Sequence, residues 1–267
     1  MSEEEDFPEF DDKDVNINLE LLSNIQYTQP VFREMEDFSI SSLIYHGNMS
    51  SLFHGKMNGQ EAILEVCTRI PFKLVCREIS LLNELNNIPN IIKIIGITRN
   101  PSMGIITLAY EPFPFLSHIE RIPHEKLYNL LISLLFILKK IHKKGICHGW
   151  ICRSSVMVSP DFSRVVLSSF HSAAKIDSQR PLTPNSICSP EDKCEKDPRK
   201  DDIYSAALWF LSFFKDDPKV ALKQIDSLPI EQNLIKVIKL MTTSDLEKRI
   251  TADIAIKYLQ KLSLIAK

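Results

Sequence analysis

Short apolar runs separated by turn residues fill the chain between residues 38 and 109, a pattern typical of β-strands. The strongest local signal is Asn58-Gly59, which lies between two such runs and predicts a tight hairpin. Residues 76–85 differ from these runs, because their apolar side chains recur at helical spacing. We therefore expect one inserted helix and five strands, the strands covering residues 38–45, 51–57, 61–67, 90–98 and 104–109.

Helical spacing dominates the rest of the chain, beyond a linker marked by Pro112 and Pro114. Leucine and isoleucine residues between 127 and 141 form the apolar stripe of a long buried helix. This helix should end at Lys143-Lys144-Gly145, where basic residues precede a helix-terminating glycine. The pattern predicts further helices at 203–214, 234–241 and 252–262, and a small hairpin at 156–158 and 165–167. Together the two parts predict an α+β fold with a small β-rich part followed by a larger helical part.

Composition and charge narrow the possible function classes. A net charge of −2 on 267 residues provides no field that would attract nucleic acid or an anionic membrane. No apolar run reaches the roughly 18 residues that a membrane span needs. The N-terminus is acidic and therefore unlike a secretory signal, and the six cysteines follow no pattern, which suits free thiols in a reducing compartment. We expect a cytoplasmic or nuclear protein without nucleic-acid or membrane partners.

The first 14 residues are acidic and contain two phenylalanines, Phe7 and Phe10. One interpretation is a solvated tail, since such a composition cannot bury much apolar surface. The other is a short docking peptide anchored by the two aromatic side chains. The sequence leaves both interpretations open.

The stretch from Lys144 to Val158, together with the triplet Ser169-Phe170-His171, resembles the catalytic core of a protein kinase. In that family an H-R-D-x-x-x-x-N motif is followed by D-F-G. Residues 77–94 look like the N-lobe helix and the strand after it, and residues 202–205 and 245–252 look like two C-lobe motifs. The resemblance covers about residues 38–262. It implies a bilobed kinase-like fold, with an acidic extension at 1–36, an N-lobe at 37–111 and a C-lobe at 112–267.

This chain differs from the family pattern at the positions that bind phosphate in kinases. The glycine-rich loop of the family matches Tyr45, Gly47 and Ser50, so only its middle glycine is present. Glu65 occupies the position of the phosphate-binding lysine and should repel phosphates. It cannot form the family's ion pair with Glu78, and the pKa of one of the two carboxyl groups should rise if they lie close together. Alternatively, Glu65 turns to solvent or meets a basic residue such as Lys73, Arg77 or Lys93.

The remaining catalytic positions also differ from the family pattern. Trp150 replaces the aspartate that would accept the substrate proton, and an indole is only a donor. Ser155 and Ser169 replace the metal-binding asparagine and aspartate, and a neutral hydroxyl is a poor ligand for a hard cation. Gly149 replaces the arginine that receives an activation-loop phosphate. The resemblance therefore predicts a degenerate member, a pseudokinase that is not an enzyme and needs no cofactor or metal.

Residues that hold the family's fold together have counterparts here. The interlobe stack of side chains matches Leu82, Ile94, His148 and Phe170, and the helix aspartate that binds the catalytic-loop backbone matches Asp202. Glu191 in Ser189-Pro190-Glu191 matches a glutamate that pairs with the arginine at Arg249. Structural roles are thus implied for Glu78 and for these seven residues. The walls of the adenine pocket match Leu52, Ala62 and Met157, with Tyr110 at the position that closes the back of the pocket.

The expected function is a protein-binding scaffold or an allosteric regulator, whose partner could be an active kinase or a kinase substrate, with weak or absent ATP binding. A nucleotide sensor and an atypical enzyme that uses the same cleft are the alternatives. Trp150 could anchor a partner from an exposed position or fill the cleft. A further alternative is a zinc site formed by His142, Cys147, His148 and Cys152. The spacing of these four residues fits no common zinc-binding template.

Overall fold

The computed structural model describes residues 15–17, 30–32, 38–46, 49–100, 102–113, 122–178, 182–184 and 197–265. The N-terminal elements are β1 (Val15–Ile17), β2 (Phe38–His46), β3 (Ser50–Met57), β4 (Gln60–Cys67), α1 (Phe72–Glu84), β5 (Ile94–Asn100) and β6 (Ile105–Tyr110). The C-terminal elements are α2 (His124–Lys143), β7 (Ile146–Cys147), β8 (Val156–Val158), β9 (Val165–Leu167), β10 (Ala174–Lys175), β11 (Leu182–Pro184), α3 (Pro198–Leu211), α4 (Pro218–Lys223), α5 (Gln232–Met241) and α6 (Ala252–Ile265). Two single-turn helices cover Phe170–Ser172 and Ile225–Ser227.

The N-terminal part is a five-stranded antiparallel sheet in the order β2-β3-β4-β6-β5. Asn58 and Gly59, with φ of 50° and 75°, form the predicted turn between β3 and β4. The predicted fourth strand begins later than expected, at Ile94. Asn90 has a φ of 64° and its carbonyl accepts the amide of Leu167, so this backbone contacts β9 instead of the sheet.

The C-terminal part is built around two buried helices. Helix α2 buries the predicted stripe, and Gly145, with a φ of 73°, follows its last residues as expected of a helix-terminating glycine. Helix α3 begins at the capping side chain of Asp197, which accepts the amide of Arg199. Nearly all of α3 is buried, including Trp209 and Phe210. Its position at the centre of the helical part allows it to support the loop after β7.

The predicted α+β class is confirmed, because the structure has an antiparallel sheet in its N-terminal part and helices in its C-terminal part. Strand β1 pairs with β11, so a short segment before the sheet contacts a segment far along the chain. The predicted acidic segment at 1–14 lies outside the described residues. The predicted lobe boundaries stay a prediction. Among the described helices, none is long and apolar enough to span a membrane.

Candidate functional site

Glu65 lies on β4 and is almost completely buried between the sheet and the helical part, with 4% of its surface exposed. Its carboxylate accepts hydrogen bonds from Ser50 Oγ at 2.6 Å and from the Tyr110 hydroxyl at 2.7 Å. Burial raises the pKa of Glu65, and the nearby Glu78 carboxylate adds to this rise. The predicted increase in one pKa is therefore confirmed. The alternative in which Glu65 turns to solvent is wrong. The basic side chain that Glu65 meets is His171, which was not among the residues named for this role.

Glu78 is fully buried on α1 and binds the segment after β9. One of its carboxylate oxygens accepts the amide of Phe170 at 2.7 Å, and the other lies 2.8 Å from His171 Nδ1. Arg77, the neighbour of Glu78, donates a hydrogen bond to the His171 carbonyl at 2.8 Å. His171 thus stands beside Glu78 where the kinase pattern has a lysine. The sequence contained one signal for this role, a titratable side chain directly after Phe170.

Asp202 connects helix α3 to the loop after β7. Its carboxylate accepts the backbone amides of His148 and Gly149, each at 2.8 Å, and lies 2.8 Å from His142 Nε2. Burial acts to raise the pKa of Asp202, but the hydrogen bond and charge of His142 outweigh it, so the pKa is lowered. A buried, ionised carboxylate therefore holds the conformation of this loop.

His148 lies at 0% exposure between this loop and the segment after β9. Its Nε2 lies 2.8 Å from the Ser168 carbonyl, and its ring packs edge-on against Phe170 at 4.6 Å. Leu82 and Phe170 are buried in the same core, and Ile94 packs against that core. The structure thus brings His148 and Phe170 into contact, and the full stack with Leu82 and Ile94 stays a prediction.

Burial lowers the pKa of His148 to about 4. An unfolded histidine has a pKa near 6.5, so between about pH 6.5 and 4 the unfolded chain binds a proton that the native chain excludes. We expect the free energy of unfolding to fall on the order of 3 kcal/mol across this range as the pH decreases. Urea unfolding at several pH values measures this dependence. His148→Asn should flatten it, whereas the same change at exposed His124 should not; equal slopes in both variants would contradict the assignment.

The loop that carries Trp150 is closed by Ser155. The Ser155 hydroxyl donates to the Trp150 carbonyl at 2.5 Å and accepts the Cys152 amide at 3.0 Å. Trp150 is only 8% exposed, so the interpretation in which it is an exposed anchor is wrong. Ser169 adopts a φ of 61°, a left-handed conformation that is uncommon for serine.

The predicted adenine pocket needs one correction. Ala62 belongs to a small apolar cluster on the outer face of the sheet, whose other buried members are Met57, Leu64 and Ala109. Successive side chains of a strand point to opposite faces, so Ile63 shares the face of Glu65 and pairs with Tyr110. Ala62 therefore lies on the face opposite Glu65, and Ile63 occupies the face that was assigned to Ala62. Leu52, Tyr110 and Met157 lie in or against the main core, as Ile63 does.

Arg249 lies between α5 and α6 and packs against the start of α3, with 1% of its surface exposed. Its guanidinium donates to the Thr243 carbonyl at 2.9 Å, approaches Asp201 to 3.7 Å and lies over the Tyr204 ring. Its predicted partner, Glu191, lies outside the described residues.

The side chains of the zinc alternative have separate partners: Asp202 for His142, the Ala174 carbonyl for Cys147 and the Ser168 carbonyl for His148. Within the described part of the chain, only one group of three metal-ligating side chains comes together. This group consists of Glu65, Glu78 and His171.

Comparison with known proteins supports a kinase-like domain. Serine/threonine-protein kinase 1 of African swine fever virus (isolate Tick/South Africa/Pretoriuskop Pr4/1996) is 22% identical over 142 residues, which cover 52% of this chain and 47% of that protein. Casein kinase II subunit alpha' of Saccharomyces cerevisiae is 25% identical over 132 residues, which cover 48% of this chain and 39% of that protein. The chain thus spans less than half the length of these relatives. No family model matches it.

These relatives confirm the fold class, a bilobed kinase-like fold with an N-terminal sheet and a helical C-terminal part. They also correct the prediction that the chain is not an enzyme. That prediction is wrong on this comparison, because one relative is named a serine/threonine-protein kinase and the other a subunit of casein kinase II, and their similarity, although low, suggests a kinase enzyme.

Proposed function

We propose that this kinase-like domain acts by binding another protein, as a scaffold or an allosteric regulator, and that its partner is an active kinase or a kinase substrate. The observation that supports this proposal is the set of contacts around Glu78. Helix α1 is attached through Glu78 to the Phe170 amide and the His171 ring, and both of these partners belong to the chain itself. We place this activity in the cytoplasm or the nucleus.

These contacts hold the sheet and the helical part in one arrangement. Glu78 fixes α1 to the segment after β9, and Asp202 fixes the loop after β7 to α3. His148 and Phe170 pack between the two attachments. Because both attachments are made between groups of the chain itself, we propose that the domain presents a constant surface. A constant surface suits recognition of a partner, since binding then costs little ordering of the domain.

Strand β2 is a candidate part of that surface. It forms one edge of the sheet and exposes two large apolar side chains, Ile40 at 54% and Leu43 at 41%. An exposed edge strand offers unpaired backbone groups to an extended segment of another protein. We therefore propose that a partner contacts the domain along β2.

A pull-down from native extract tests this proposal. The wild-type chain should retain a protein kinase or a kinase substrate, and a variant with Ile40→Lys and Leu43→Lys should lose it. Val220→Lys, at an exposed position of α4, is the matched control and should retain the partner. Thermal melts would verify that all three chains are folded. Equal recovery by the edge-strand variant, or recovery of neither partner class, would contradict the proposal.

We further propose that ATP binds weakly. Glu65 places a buried carboxylate where a phosphate-binding cation would lie, and the apolar side chains that the resemblance assigns to the pocket, Leu52, Tyr110 and Met157, lie in or against the main core. Repulsion between this carboxylate and phosphate groups in a partly buried cleft could amount to a few kcal/mol, or about tenfold in affinity for every 1.4 kcal/mol. Adenosine, which has no phosphate, should therefore bind no worse than ATP.

Glu65→Lys should strengthen ATP binding by at least about tenfold, because it replaces the repelling charge with an attracting one that can pair with Glu78. Glu65→Gln, which removes only the charge, should give a smaller gain. Thermal-shift titrations with ATP and adenosine, with and without Mg²⁺, measure these effects. Tight Mg²⁺-dependent binding of ATP by the wild type would instead favour the nucleotide sensor.

Phosphoryl transfer is a second candidate function, favoured by the names of the relatives. Purified chain should be assayed with ATP, Mg²⁺ or Mn²⁺ and general protein substrates. Glu65→Gln serves as the cleft variant in this assay. Turnover that changes in the variant would assign the activity to this cleft, whereas equal turnover would indicate a contaminant.

A further inference from the structure

Three side chains that can ligate a metal meet where the sheet contacts the helical part. Glu65 from β4, Glu78 from α1 and His171 from the segment after β9 each offer one atom, and these atoms lie within 4.8 Å of one another. The side chain of Glu78 is fully buried and that of His171 is 12% exposed. The cluster is thus assembled from three elements and is largely shielded from water.

The three side chains of this cluster carry more negative than positive charge among themselves. Its two carboxylates carry a formal charge of −2 when ionised, and the imidazole of His171 can contribute at most +1. The partners of Glu65 are two neutral hydroxyl groups, those of Ser50 and Tyr110. Arg77 donates its hydrogen bond to the His171 carbonyl, and its positive charge also acts on Glu78. A cation bound between the three side chains would be attracted by both carboxylates.

We propose that Glu65, Glu78 and His171 bind a divalent transition-metal ion, with Zn²⁺ or Mn²⁺ the best match to this ligand set. One imidazole nitrogen with two carboxylate oxygens suits such ions. Mg²⁺ fits less well, because it prefers oxygen ligands in an octahedron and retains several waters. The sequence pattern does not predict this site, because its ligands are separated along the chain and only the fold brings them together.

The geometry requires only local adjustment. Bonds of about 2.0–2.2 Å place neighbouring ligand atoms roughly 3 Å apart. His171 Nδ1 and the Glu78 carboxylate are already 2.8 Å apart, so the most distant pair of the cluster must approach by about 1–2 Å. The hydroxyl groups of Ser50 and Tyr110 orient the Glu65 carboxylate, as outer hydrogen-bond donors commonly do for ligating carboxylates.

Titration of metal-depleted full-length chain with ZnCl₂, MnCl₂ and MgCl₂ tests the site, by calorimetry and by thermal shift. We expect one Zn²⁺ or Mn²⁺ ion per chain, a higher melting temperature with metal and a weaker response to Mg²⁺. Co²⁺ provides a spectroscopic probe, because its visible absorption changes when nitrogen and carboxylate ligands replace water. Absence of saturable binding, or a preference for Mg²⁺, would overturn the proposal.

Variants identify the ligands. Glu65→Gln and His171→Asn should each lower the affinity about 100-fold, and Tyr110→Phe, which removes only an outer hydrogen bond, about tenfold. Exposed His124→Asn is the control for adventitious binding at surface histidines and should bind like the wild type. Melting temperatures without metal would show whether each variant is folded. Unchanged affinity in folded Glu65→Gln and His171→Asn would refute this site, even if the chain binds metal elsewhere.

Discussion

Asp202→Ala should lower the free energy of unfolding by about 3–5 kcal/mol, the usual cost of removing one partner from a buried charged network. The carboxylate accepts two backbone amides, from His148 and Gly149, and contacts His142. Alanine would leave these buried polar groups without their acceptor, and each such loss costs about 1–3 kcal/mol. Urea unfolding of the wild type and the variant measures the effect.

Asp226→Ala is the matched control, since its carboxylate is 69% exposed and pairs with Lys239 at the surface. Such a pair contributes about 0–1 kcal/mol, so this variant should melt close to the wild type. A similar small loss in Asp202→Ala would show that Asp202 does not support the loop after β7.

Phe170→Ala should destabilise the fold by about 3–5 kcal/mol, the usual cost of emptying a buried phenylalanine site. Phe170 has no exposed surface, and its ring packs against His148. Its amide bond to Glu78 involves only the backbone and can persist, so the loss measures side-chain packing. Leu82→Ala, in the same core, should cost about 2–5 kcal/mol.

Phe136→Ala, at a side chain with 38% exposure, is the control for phenylalanine and should cost much less. If urea melts show Phe170→Ala or Leu82→Ala to be neutral, the stack between the sheet and the helical part has been assigned to the wrong residues.

Elements with strong local signals could be predicted from the sequence. The turn at Asn58-Gly59 needs two residues with positive φ, and these two residues adopt it readily. The long helix α2 was predicted from an apolar stripe, and the structure shows that this stripe is buried. These features depend on neighbours within a few residues, so the sequence alone contained the necessary information.

Features that depend on distant contacts were missed. The strand predicted from Asn90 begins at Ile94, because the Asn90 backbone contacts Leu167 on another element. The role of His171 depends on β4, α1 and the segment after β9 meeting, and its place directly after Phe170 was the one local signal for it. The face on which Ala62 lies could have been predicted from the sequence. Side chains alternate along a strand, so Ile63 and not Ala62 shares the face of Glu65.

The difference between local and distant contacts also affects the order in which parts of the chain fold. Strand β1 lies near the start of the chain and its partner β11 lies in the second half, so their pairing is far less local than the hairpin of β3 and β4. Ordering such a large loop costs entropy before its few hydrogen bonds form. The short β1–β11 ladder should therefore form late in folding and open first in native-state fluctuations, which hydrogen exchange would detect as low protection.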